Sequence, residues 1–157
     1  MKYTFLIFLL LTEKIINGQE RQSLYTELGK NGIMIHAGYD RQFSGKRTGI
    51  RLGAGTNFDR YLKAYAITAG IYTLAGKRLH FFEAGMDIQY IDIDKISDDQ
   101  RGFGFICPDY TVAAIYPSLN AGYRFMSRKF LFRTGFAPGV IKNEFIPGVY
   151  VSFGYSW

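Results

Sequence analysis

Residues 149–157 set the strongest constraint on the fold. Val149, Val151, Phe153, Tyr155 and Trp157 alternate with Gly148, Tyr150, Ser152, Gly154 and Ser156. A repeat of two is the repeat of a β-strand, whose successive side chains point to opposite faces. The same period runs back through the chain. Phe82, Ala84, Met86, Ile88 and Tyr90 alternate with Glu83, Gly85, Asp87 and Gln89, and Phe130, Phe132, Thr134 and Phe136 with Leu131, Arg133, Gly135 and Ala137. Leu119, Ala121, Tyr123 and Phe125 oppose Ser118, Asn120, Gly122 and Arg124, while Ile33, Ile35, Ala37 and Tyr39 oppose Met34, His36, Gly38 and Asp40. No stretch after residue 20 has a helical period, and none approaches the ~18 apolar residues of a membrane helix.

Alternating strands close into a barrel in two senses, with the apolar side facing in or facing out. Three features point outward. The polar face is rich in Gly, Ser and Ala, with charges set singly among them, which suits a narrow, crowded interior. On the apolar face, charges (Arg41, Lys63, Asp92, and His80 similarly placed) fall near strand ends. A lipid-facing Arg or Lys costs about 2–4 kcal/mol at mid-membrane and little at the interface. Tyr and Phe gather near the same ends, as interfacial girdles require. The expected fold is therefore all-β, an antiparallel up-and-down transmembrane barrel.

Eight strands are expected, near 23–29, 33–43, 48–57, 61–74, 79–93, 117–126, 129–137 and 147–157. Asn31-Gly32, a hairpin signal, separates the first two; one strand over 24–43 would lower the count to seven. Pro117 and Pro147 are read as opening strands and Pro138 as closing one. Tight turns at Gly45-Lys46, Gly76-Lys77 and Ser127-Arg128 alternate with longer connections, the longest over 94–116. Small outer-membrane barrels keep short turns in the periplasm, so both termini are expected there. Two-residue loops at these turns would set Asp40 opposite Arg51, Glu83 opposite Gly70, and Arg133 opposite Gly122. Glu27, Asp40, Arg51, Glu83, Arg124 and Arg133 then form an expected interior polar network, because buried charge is costly unless paired.

Ahead of the strands, Lys2 precedes an apolar run, Tyr3 to Leu11, and a more polar stretch ending Asn17-Gly18-Gln19. This is the layout of a secretory signal peptide over 1–19, with the barrel domain over 20–157. Without residues 1–19 the chain keeps 17 basic and 12 acidic residues. One cysteine, Cys107, excludes an internal disulfide framework, and two histidines leave little for metal chemistry. No cofactor or metal site is expected.

The pattern over residues 23–157 and its aromatic ending resemble the small eight-stranded outer-membrane barrels of Gram-negative bacteria, the OmpA/OmpX-like architecture. Tyr25-x-Glu27-Leu28-Gly29 and Tyr116-Pro117-Ser118-Leu119-Asn120-x-Gly122-Tyr123-Arg124-Phe125 carry a further likeness to uncharacterised members. The resemblance implies that Phe153, Tyr155 and Trp157 belong to a terminal strand read by the barrel-assembly machinery. It implies a location among outer-membrane lipids, and a fold rather than a reaction.

For catalysis, His36 shares an inward face with Asp40, but a His-x-Ser nucleophile motif is absent. A lipid-modifying enzyme is one alternative; a soluble, secreted ligand-binding barrel is another. The 94–116 connection carries Asp98, Asp99, Phe103, Phe105 and Tyr110, candidate contacts for an extracellular partner. Eight strands leave no wide pore. Basic residues at turns or singly inside form no continuous nucleic-acid face. The expected role is structural or adhesive.

Overall fold

The computed structural model describes residues 21–30, 33–57, 62–95, 112–141 and 144–157. The expected signal peptide at 1–19 and the expected hairpin pair Asn31-Gly32 lie outside them. The described residues form ten strands: β1 (Arg21–Leu28), β2 (Ile35–Gln42), β3 (Thr48–Thr56), β4 (Leu62–Lys77), β5 (His80–Lys95), β6 (Val112–Met126), β7 (Phe130–Phe136), β8 (Gly139–Ile141), β9 (Glu144–Ile146) and β10 (Val149–Ser156). All pairings are antiparallel, each of β1 to β6 pairs with the next, and β10 joins β7 to β1, closing a ring of eight.

β8 and β9 extend that ring. The register of β7 on β10 pairs Phe136 with Val149, and the same register carries on to Gly139 against Ile146. Pro138 and Pro147 therefore face each other across the hairpin. Neither has an amide hydrogen, so one rung is erased at one place and the two long strands divide there.

The exterior is apolar. Ile115, Ile67 and Leu119 are 72%, 64% and 61% exposed, and Val149, Val151, Phe153, Tyr155 and Trp157 all face outward. Strands of eight to nine residues at ~3.3 Å each, tilted ~40°, span roughly the ~25 Å apolar band of a membrane barrel. This orientation rules out the inward-facing apolar cavity that a soluble barrel would need. Near the tight turns the outward rings touch in a chain: His80 with Phe125 (5.4 Å between centroids), Phe125 with Phe130 (6.3 Å), Tyr123 with Phe132 (6.4 Å) and Phe132 with Phe153 (5.3 Å).

Three details differ from the sequence reading. β6 begins at Val112, so Pro117 lies inside a strand, with no bulge in its ladder to β5. Strand amides point alternately to the two neighbours. The Leu119 amide donates to the Pro138 carbonyl, so position 117 also faces the β8 side, where pairing has thinned to Ser118 with Gly139. The missing donor thus takes nothing from the β5 ladder. The connection expected over 94–116 is shortened accordingly, with Asp94 and Lys95 in β5 and residues 112–116 in β6.

The other two details concern turns. The β4–β5 loop is Arg78-Leu79, with Lys77 paired to His80 and Arg78 at φ 62°. Glu83 consequently stands opposite Leu74, and Gly70 opposite Asp87. The β6–β7 loop centres on Arg128-Lys129, closed by the Ser127 amide on the Phe130 carbonyl. Arg133 is then opposite Arg124, not Gly122. Asp40 is opposite Arg51.

Candidate functional site

The barrel interior carries the concentrated chemistry. From the turn end upward, β4, β5 and β6 each present an apolar residue first: Leu74, Phe81 and Met126. With Tyr25, Tyr72 and Leu131 these form a buried apolar plug. The next inward positions are ionic. Arg51, Glu83, Arg124 and Arg133 are each 1% exposed or less, and Glu27, Lys30, Asp40 and Asp87 are buried with them. Among the described residues the buried charged set is thus four cations and four carboxylates.

Glu83 is the hub. Its Oε1 accepts from Arg51 Nη1 at 2.6 Å and lies 3.4 Å from Arg133 Nη2, while its Oε2 accepts from Arg124 Nη1 at 2.8 Å. Arg124 Nη2 donates to Asp40 Oδ1 at 2.7 Å, which also accepts from Tyr72 Oη at 2.8 Å. Arg51 Nε donates to Asp87 Oδ1 at 2.8 Å and its Nη2 to Asn120, whose Nδ2 donates to Asp87 Oδ2 at 3.1 Å. Lys30 Nζ sits 2.6 Å from Asp87 Oδ2 and 3.6 Å from Glu27 Oε1. Arg133 Nη2 donates to Glu27 Oε2 at 3.2 Å.

Tyrosines complete the lining. The Arg124 guanidinium lies 4.6 Å over the Tyr72 ring, and that of Arg133 lies 5.0 Å over Tyr25 and 5.4 Å over Tyr150. Such faces attract cations, most strongly where water is excluded. Glycine makes room for this lining: a Cβ at Gly70 would land on Asp87 Oδ1, and one at Gly38 would meet the Tyr25 ring.

Glu27, Asp40, Arg51, Glu83, Arg124 and Arg133 therefore converge on one cluster. Sequence reasoning did not name Lys30, Tyr72, Asp87 or Asn120 for it. Asp87 and Asn120 were on the inward face by alternation, so that signal was present. Lys30 had no such signal. It follows Gly29 (φ 83°), in a turn where the Ile33 amide donates to the Lys30 carbonyl.

His36 and Asp40 face inward on one strand but do not form a relay. Asp40 Oδ1 is held by Arg124 and Tyr72, while the buried His36 Nε2 has no hydrogen-bond partner. No group of three or more His, Cys, Asp or Glu among the described residues has metal-ligand geometry. Phe153 and Tyr155 sit on the outward face of β10 and Trp157 just beyond its end, each about half exposed. Asp98, Asp99, Phe103, Phe105, Tyr110 and Cys107 lie outside the described residues.

An apolar exterior, a closed eight-strand ring and a filled ionic interior define the fold of the small outer-membrane β-barrels. The N-terminal β-barrel domain of Pseudomonas aeruginosa OprF shares this fold, with a TM-score of 0.67 over 90% of this chain and 100% of that one, at 11% identity. The Yersinia pestis outer membrane protein Ail, solved in a phospholipid bilayer nanodisc, gives a TM-score of 0.51 over 90% of this chain and 100% of that one, at 10% identity. No family model matches the chain, and no curated protein matches it in sequence.

Proposed function

We propose that this chain is an integral outer-membrane protein with a structural or surface-interaction role, in which the barrel is an anchor and the connection after β5 is the contact region. The carrying observation is the division of residue types between the two faces: large apolar side chains outside, eight paired charges inside. An interior filled in this way blocks a wide pore and favours a rigid support. Residues 1–19 act as the export signal, and both termini lie in the periplasm. Phe153, Tyr155 and Trp157 take part in recognition by the assembly machinery. Asp98, Asp99, Phe103, Phe105 and Tyr110 supply charge and aromatic surface for an extracellular partner.

Membrane fractionation with heated and unheated gel lanes tests the proposal. A band in the outer-membrane fraction whose mobility changes on heating is the expected result. A soluble product without the shift would overturn it. Protease added to intact cells tests orientation: cleavage within 96–111, with a tag at residue 157 protected, is expected.

A further inference from the structure

The three turns at the tight-turn end of the barrel carry charge of one sign. They hold Lys46 and Arg47, Lys77 and Arg78, and Arg128 and Lys129, all six exposed. No Asp or Glu falls within 43–48, 75–80 or 126–131. None of the six makes a side-chain ion pair among the described residues, whereas the interior cations all do. The turns join β2 to β3, β4 to β5 and β6 to β7, so they occupy three of the four quarters of the ring. In the fourth, where β10 meets β1, Arg41 faces outward from β2 opposite Gln22.

Depth matters as much as sign. Directly above this collar lie outward aromatic side chains: Phe43, His80, Phe82, Phe125, Phe130 and Tyr155. Aromatic residues mark the level where hydrocarbon gives way to headgroups. The basic residues run from level with them, where Lys77 pairs with His80, to about three positions beyond, up to roughly 8 Å further out on a tilted strand. That is the level of lipid phosphates. Arg78, a side-chain-bearing residue, holds a left-handed backbone at the tip of its turn, a conformation such residues rarely adopt.

We propose that the collar of Lys46, Arg47, Lys77, Arg78, Arg128 and Lys129 binds the headgroups of anionic phospholipids in the leaflet at the tight-turn end. It thereby selects the lipids around the barrel. This rests on the membrane reading above and adds a ligand class to it. Several basic residues at one membrane surface attract anionic lipid additively, and salt weakens the attraction.

The test uses the full chain refolded in phosphatidylcholine vesicles with trace spin-labelled phosphatidylglycerol or spin-labelled phosphatidylcholine, reading the fraction of label immobilised at the protein. About a threefold preference or more for phosphatidylglycerol is expected. Changing all six residues to Gln should reduce it to near unity, as should about 1 M sodium chloride. Exchanging Lys for Arg and Arg for Lys at the same positions should preserve it. Equal immobilisation of both labels in the unaltered chain, or a preference that survives the Gln substitutions, overturns the proposal. So does loss of preference in sodium phosphate beyond that in sodium chloride of equal ionic strength, which would indicate a free-anion site.

Heat-shifted gel mobility is read on each sample. Absence of the shift in the unaltered chain defeats the membrane reading, while its presence without lipid preference defeats this one alone. If the sixfold variant lacks the shift, K46Q/R47Q, K77Q/R78Q and R128Q/K129Q carry the same test, each with a reduced preference.

Discussion

Along β4, β5 and β6 the barrel interior is ionic on the tight-turn side of Gly70 and neutral on the other, with Lys30 reaching in from the β1–β2 turn to Asp87 at the boundary. Along β4 the inward residues beyond Gly70 are Thr68, Ala66 and Ala64, and along β5 beyond Asp87 they are Gln89 and Ile91, all buried. Tyr116 and Ser118 of β6 line the same region. The ionic zone satisfies both Glu83 oxygens and binds Asp87 on both of its oxygens. Buried atoms without a hydrogen bond occur in both zones: Thr68 Oγ1 and Tyr116 Oη in the neutral one, and Asp40 Oδ2, Arg124 Nε and Arg133 Nε and Nη1 in the ionic one. The two zones meet different physical demands. A buried charge requires a partner at a fixed distance and angle, whereas a neutral side chain requires only volume. The ionic zone therefore dictates which strand faces which, and the neutral zone fills space above it.

Substitutions that break this contrast should rank accordingly. Glu83→Gln should have the largest effect. It leaves Arg51, Arg124 and Arg133 around a neutral side chain and should cost on the order of 3–5 kcal/mol. Urea titration of the folded gel band in lipid measures this; a loss below about 1 kcal/mol would mean that the cluster does not specify the fold. Gly70→Ala comes next. The new methyl displaces Asp87 from Arg51 and Lys30, and about 1–3 kcal/mol should be lost in the same titration. Ala66→Gly, in the neutral zone of the same strand, should cost about 1 kcal/mol or less. Thr68→Val should have the smallest effect, within about 0.5 kcal/mol of neutral, because it removes a hydroxyl that has no partner. A loss above about 1.5 kcal/mol at Thr68 would erase the distinction between the zones.

The sequence was legible where a single rule governs many residues. Alternation assigned inside and outside correctly on every strand of the ring, because each strand meets lipid on one side and packed interior on the other. It failed at Ile33, which alternation groups outward with Ile35 but which precedes β2 and is 1% exposed. Register was less legible. Any two-residue loop pairs inward residues with inward residues, so alternation could not choose Arg78-Leu79 over Gly76-Lys77. The choice turned on backbone geometry, with Gly76 at φ 155° and Arg78 at φ 62°. Asp87 consequently lost its place opposite Gly70 in the sequence reading, and Glu83 was assigned that place. Pro117 concealed residues 112–116 because the side to which its missing amide points is a property of the sheet, not of the residue. Lys30 belongs to a turn, and no periodicity reports that a turn residue reaches inward to Asp87.

The pairing rule at the turns also bears on heredity. A hairpin whose loop gains or loses residues in twos keeps every side chain on its own face, while a change of one within a strand turns lipid-facing residues inward from that point to the next turn. Lineages descended from this barrel should therefore vary in strand length by even steps, with odd changes confined to the connections. Length differences between relatives would then record which segments were in the membrane.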